Sequence, residues 1–113
     1  MKVSSTERNG VVIVELVGEI DLVDHEGFAN GLQAVSVNNP LAVVLDMKKV
    51  AYIASQGIAL LIQFAQRIRR NGGQMRMVHI DPRVKTIFDT VNLGAIIPMA
   101  PSLDEAVAAL QKK

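Results

Sequence analysis

Ser55 is the residue whose type and setting most directly suggest chemistry. With Gln56 and Gly57 it opens a strongly helical segment that follows, after a short link, an unbroken apolar run from Leu41 to Leu45. A serine there sits where a helix N-cap belongs, its hydroxyl able to accept from amides two or three residues on. It also stands at the surface beside the positive end of a helix dipole. On the residues alone it reads as a cap. Other chemistry is thin. His25 and His79 fall on different elements, and no Gly-x-Ser-x-Gly elbow or His-x-Glu pair exists. His79 has no nearby second ligand, which leaves a metal site unsupported. Gly72-Gly73 lacks the lysine and spacing of a phosphate loop and reads as a helix stop. Arg67, Arg69, Arg70 and Lys48-Lys49 cluster without an aromatic platform, as a solvated helix end complementing its own dipole does. No catalytic set emerges, and no cofactor is expected.

The run Leu41–Leu45, bounded by Pro40 and Asp46, reads as a strand buried on both faces. A half-apolar link follows, with Val50, Tyr52 and Ile53 pointing inward. The helix from Ser55 runs to about Asn71, where Gly72-Gly73 end it. At its helical pitch Ile58, Leu61, Ile62, Ala65 and Ile68 share one face and must be core. Leu60 lies roughly opposite that face and Phe64 at its margin. Stacked one turn from Ser55, the two form either a small apolar docking stripe or a packing contact with a neighbouring helix. Gly57, at the second or third helical position, costs up to ~1 kcal/mol against Ala. Its expected use is to let a partner approach Ser55 closely.

Upstream, Val3–Arg8 is a polar edge strand, and Asn9-Gly10 is a strong hairpin signal because both turn positions need positive φ. Val11–Val17 forms the antiparallel mate. Asp21 reads as the cap of a helix from about Leu22, with Phe28, Leu32 and Val35 as its apolar stripe and Asn38-Asn39-Pro40 as its end. Downstream, Gln74–Ile80 is a strand burying Met75, Met77, Val78 and Ile80. Asp81-Pro82 starts a helix whose apolar face is Val84, Ile87, Phe88 and Val91. Ala95-Ile96-Ile97 reads as a short edge strand stopped by Pro98. Pro101-Ser102 and the acids Asp104 and Glu105 lead a last helix through Leu110. Strand–helix alternation after an N-terminal hairpin predicts an α/β domain with one open, mixed sheet and parallel crossovers.

The 113 residues fit one domain, 1–113, and half of them are hydrophobic, so the chain is globular. A net charge of +1 is too small for a nucleic-acid footprint. Cysteine is absent, no apolar run approaches a membrane span, and the N-terminus lacks a signal pattern. A cytoplasmic protein without direct membrane insertion is expected.

The string Asp46-Met-Lys-Lys-Val-Ala-Tyr-Ile-Ala-Ser-Gln-Gly-Ile58 resembles the central motif of STAS domains, the anti-sigma-factor antagonists of bacteria. Gly18-Glu19-Ile20-Asp21, the stretch Asp81–Leu93 and the closing Ser102–Leu110 resemble other parts of that family in the same order, so the likeness covers almost the whole chain. In one respect the chain departs from the family: the acid usually found just before the serine is Ala54 here.

The resemblance implies a STAS-like α/β domain with a mixed four- to five-stranded sheet and about four helices. It places the family's phosphorylated residue on Ser55 and its glycine on Gly57. It also implies partner contacts at Asp21, Ala54, Ser55, Gln56 and Gly57, to which the stripe Leu60–Phe64 would add. The implied role is that of a binding module and not an enzyme. It would engage a serine kinase of the histidine-kinase ATPase fold that doubles as an anti-sigma factor, so that a sigma factor is released and transcription regulated by partner switching. Phosphorylation would end the binding and a serine phosphatase would restore it. Ala54 keeps a second reading open, a STAS subunit that is never phosphorylated and assembles, for example, into a transporter complex.

Overall fold

Asn9 and Gly10 both take positive φ, 55° and 82°, and fold the chain back on itself as a two-residue hairpin requires. The computed structural model of the chain describes residues 2–20 and 25–111. The hairpin joins β1 (Lys2–Arg8) to β2 (Val11–Ile20), and they pair antiparallel from Lys2–Val17 to Arg8–Val11. α1 (His25–Ser36) leads to β3 (Ala42–Ile53), α2 (Ser55–Arg70), β4 (Gln74–Val78) and α3 (Pro82–Thr90). A 3-10 turn, Leu93–Ala95, precedes α4 (Leu103–Gln111). The sheet order is β1-β2-β3-β4, with β3 parallel to both of its neighbours. The sheet therefore has four strands.

β3 is the inner strand around which two apolar layers form. Ala42 to Met47 are all buried, as the apolar run requires. Val43, Leu45, Met47, Val50 and Ile53 join Phe28 of α1, Leu61 and Ile68 of α2 and Phe88 of α3 in the larger core. Val44 and Ala42 turn to the other face, where Val107 and Leu110 of α4 cover them. The strand is longer than its apolar run. Lys48 to Ile53 stay extended because β2 continues beside them, with irregular register at Glu15/Val17 and Gly18/Glu19. Those irregularities also break the inside–outside alternation. Val50 and Ile53 are buried as expected, but Tyr52 is 48% exposed.

The helix ends follow local chemistry. α2 closes with a Schellman motif: Gly72 N–H donates to Arg69 O at 3.0 Å and Gly73 N–H to Ile68 O at 2.9 Å, with Gly72 at φ 85°. Asp81 caps α3 by accepting from Arg83 N–H at 2.8 Å, and Pro82 takes the first helical position. The Arg83 side chain and N–H hold the Asp81 carboxyl below its usual range. That capping contribution is complete at neutral pH and fades as pH falls through the lowered value. Ser102 caps α4, accepting from Glu105 N–H at 3.1 Å.

Two expectations downstream are corrected. Ala95–Ile97 is not an edge strand: the chain turns there in a 3-10 helix and drives Ile97 fully into the core. The outer edge of β4 is met three residues later, where Met77 N–H donates to Pro98 O and Met77 O accepts from Ala100 N–H, both at 2.9 Å. Val91, expected on the buried face of α3, is 46% exposed because the helix has already ended at Thr90.

Gly73 shows how tight the α2–β4 link is. A Cβ there would lie 2.7 Å from Ile68 Cγ2 and 2.9 Å from the backbone oxygen of Pro40. Gly73→Ala is expected to lower stability by about 1–3 kcal/mol, the usual range for overpacking. Urea unfolding with an unchanged m value would register this as a shift of midpoint alone.

Candidate functional site

The start of α2 is fixed by how far β3 stays extended. Pairing with β2 holds the chain in strand geometry through Ile53, and Ala54 is the single residue between strand and helix. Ala54 has φ −81° and ψ 162°, and its carbonyl accepts the first helical bond from Ile58 N–H at 3.1 Å. The N-cap is therefore Ala54, whose methyl group cannot cap. Ser55, expected to cap, is instead the first helical residue. Its side chain is exposed, and among the described residues it takes no part in capping.

This shift of one position changes the chemistry. The N–H groups of Ser55, Gln56 and Gly57 precede the first intrahelical bond and have no helical acceptor. With alanine at the cap, no side chain from that position reaches them. The helix thus presents three amide donors, the positive end of its dipole and an exposed hydroxyl within one turn. Among the described residues α2 has no acid in its first turn. That is an anion-accepting helix end with a nucleophilic hydroxyl built into it.

The other residues singled out from sequence divide. Gln56 is exposed and Ala54 half-buried beside Ser55. Gly57 is buried in the first turn of α2. Leu60 is half-buried one turn on, packed against the core margin. Phe64 is 4% exposed and belongs to the core, which removes it from any surface stripe. The cause is α1, which lies alongside α2. Leu32 and Ser36 of α1 face Leu60, Phe64 and Arg67 of α2 across a groove of about 120 Å³. Arg67 closes its far end by donating to the Ser36 hydroxyl at 3.1 Å. Ile62, expected in the core, is only partly buried, and Phe64 takes the place assigned to it. Asp21 lies outside the described residues, although the pairing of Ile20 with Ile53 ends β2 level with the end of β3.

One buried polar feature was missed. Asp46 is 6% exposed within the apolar β3 run, and its Oδ1 accepts from Lys48 N–H at 3.0 Å and lies 3.1 Å from His79 Nδ1. His79, for which the sequence offers no second metal ligand, sits at φ 59° just beyond β4 and reaches back to Asp46. The available signal was Asp46 itself, since a carboxylate at the end of a buried strand needs partners.

The STAS domain model matches residues 2–106. BtrV of Bordetella bronchiseptica, named as a candidate anti-sigma factor antagonist, is 27% identical over 98% of this chain and 96% of its own length. The anti-sigma-F factor antagonist RsfA of Mycobacterium tuberculosis is 24% identical over 96% of this chain and 87% of its own. The crystal structure of an anti-sigma factor antagonist from Mycobacterium paratuberculosis superimposes with a TM-score of 0.88 at 25% identity, covering 98% of this chain and 94% of that one. In fold and in sequence over nearly its full length, the chain belongs to the STAS domain family.

Proposed function

We propose that this protein is an anti-sigma factor antagonist switched by phosphorylation of Ser55. It binds a serine kinase of the histidine-kinase ATPase fold that is itself an anti-sigma factor, and so releases the sigma factor. Phosphorylation by that kinase ends the complex, and a serine phosphatase resets it. The protein acts as a binding module and substrate in the cytoplasm. The observation that carries this reading is the exposed Ser55 hydroxyl at the first position of α2, beside three amides that the helix leaves open.

The charge balance suits a switch. A phosphoryl group brings about −1.5 to −2 charges and three acceptor oxygens. Placed at the start of α2, that charge is favourable to the fold, so the modified protein stays folded. The cost falls on any interface that covers Ser55, through desolvation and repulsion. Ser55, Gln56 and the exposed edge of Leu60 form the contact surface in this reading, and Phe64 supports it from beneath.

Three outcomes test the proposal. Incubation with the cognate kinase and ATP should phosphorylate wild type at Ser55 and leave Ser55→Ala unmodified and permanently bound. Phosphate mapped to another residue, or to none, would overturn it. Because Ser55 does not cap, Ser55→Ala should change stability by no more than ~0.5 kcal/mol. Ser55→Asp should remain folded yet bind the kinase more weakly.

Ala54→Asp restores the acid usual in the family and gives α2 a capping side chain. It should raise stability by about 0.5–2 kcal/mol, visible as a melting temperature several degrees higher.

Leu60 and Phe64 should separate in a thermal and binding assay. Phe64→Ala is expected to cost about 3–5 kcal/mol as a core truncation. Leu60→Ser, on a half-buried side chain, should cost about 1 kcal/mol and clearly weaken kinase binding. Unchanged kinase affinity in Leu60→Ser would remove Leu60 from the interface.

A further inference from the structure

The other end of α2 carries a surface that the proposed switch does not use. Arg69 in the last turn of α2 and Arg76 on β4 line one cleft of about 360 Å³. Ala65, Ile96 and Pro98 form its apolar wall, and no acidic residue lines it. Among the described residues neither arginine is paired with a carboxylate: Arg76 Nη1 donates only to the backbone oxygen of Met75, at 2.8 Å. Two guanidinium groups thus share a concave, partly apolar site without a counter-charge.

The floor of the cleft is a strand edge. Gln74 N–H donates inward, to Leu41 O on the β3 side, at 3.0 Å. Met77 turns its N–H and C=O outward to Pro98 and Ala100. Backbone groups alternate between the two edges of a strand, so Met75, two residues before Met77, also faces outward. There the covering chain is absent, because residues 93–95 turn away in the 3-10 helix before the chain reaches β4 at Pro98. The edge is therefore covered by chain at Met77, while at Met75, itself only 3% exposed, the outward carbonyl is held by the Arg76 side chain. A strand edge covered by a side chain and not by chain becomes a template for one more strand once that side chain moves.

We propose that this cleft binds a short, extended, acidic peptide segment of a partner protein, which adds to the β4 edge at Met75 and places carboxylates against Arg69 and Arg76. The apolar wall takes a side chain lying between the acids. Strand addition supplies the backbone bonds, and the arginines select the charge. The Arg76–Met75 contact gives way when the segment enters, freeing both the guanidinium and the carbonyl.

The test is fluorescence anisotropy at low ionic strength with a labelled Glu-Glu-Val-Glu-Glu peptide and the full chain. Saturable binding is expected, with the Lys-Lys-Val-Lys-Lys analogue inactive. Arg69→Glu should weaken binding by ~10-fold or more, since a hydrogen bond to a charged group is worth at least that factor. Lys49→Glu makes the same charge change on β3, beyond the stretch paired with β4, and should weaken binding less than Arg69→Glu does. Arg76→Ala provides a second variant, and melting temperatures verify that each is folded. A peptide N-methylated throughout should lose binding, and inorganic phosphate should compete only weakly. No saturable binding, equal binding of the basic peptide, or equal effects of Arg69→Glu and Lys49→Glu would overturn the proposal. Full activity of the N-methylated peptide, or displacement by phosphate at the peptide's own concentration, would make the cleft a free-anion site and overturn strand addition.

Discussion

The burial of β3 on both faces is the constraint from which the rest of the architecture follows. A strand with Val43, Val44 and Leu45 fully buried must be covered on two sides, and no single layer of helices can do that. α1, α2 and α3 supply cover on one face, and the C-terminal α4 returns to supply it on the other. Asp46 is the one charge this strand carries into the interior, and Lys48 N–H and His79 satisfy it there. The strand also sets where α2 begins. Its pairing with β2 lasts to Ile53, so the helix has one residue, Ala54, in which to start.

That start gives physical content to the unusual alanine. An aspartate at the N-cap would accept from the amides of the first turn and occupy donors that an added phosphate could otherwise use. Alanine leaves those donors to whatever anion arrives. The absent acid thus lowers the stability of the unmodified helix start and lessens the competition that a phosphoryl group on Ser55 would meet. A missing acid is consistent with modification at Ser55 on electrostatic grounds, whatever it does to recognition by a kinase.

Much of the fold was legible because its signals are local. Asn9-Gly10, Gly72-Gly73, Asp81-Pro82 and Ser102 each fix a turn or a helix end through their own backbone preferences, and each is found in that role. What could not be read depends on distant chain. Lys48–Ile53 stays extended only because β2 runs beside it, which also moves the cap from Ser55 to Ala54. Phe64 is buried because α1 lies against its flank, a neighbour that the periodicity of α2 does not reveal. Ala95-Ile96-Ile97 has strand-like composition, yet the edge it was expected to fill is met by Pro98–Ala100. At the candidate site the start of α2 at Ser55 was legible from sequence, and the placing of its cap on Ala54 was not.

The two surfaces carried by α2 are far enough apart to act independently. Fourteen residues separate Ser55 from Arg69, and at the helical rise this is about 21 Å. The screening length at physiological ionic strength is only ~8 Å, so charge added at Ser55 is largely unfelt at the arginines through solvent. Mechanical coupling has little to work with as well, since Leu61, Ala65 and Ile68 anchor the helix in the core along its length. A segment held at the Arg69 cleft would then stay bound in both states of Ser55. One end of the helix would change partners while the other kept its own, and a partner switch could release its kinase without leaving the assembly it is tethered to.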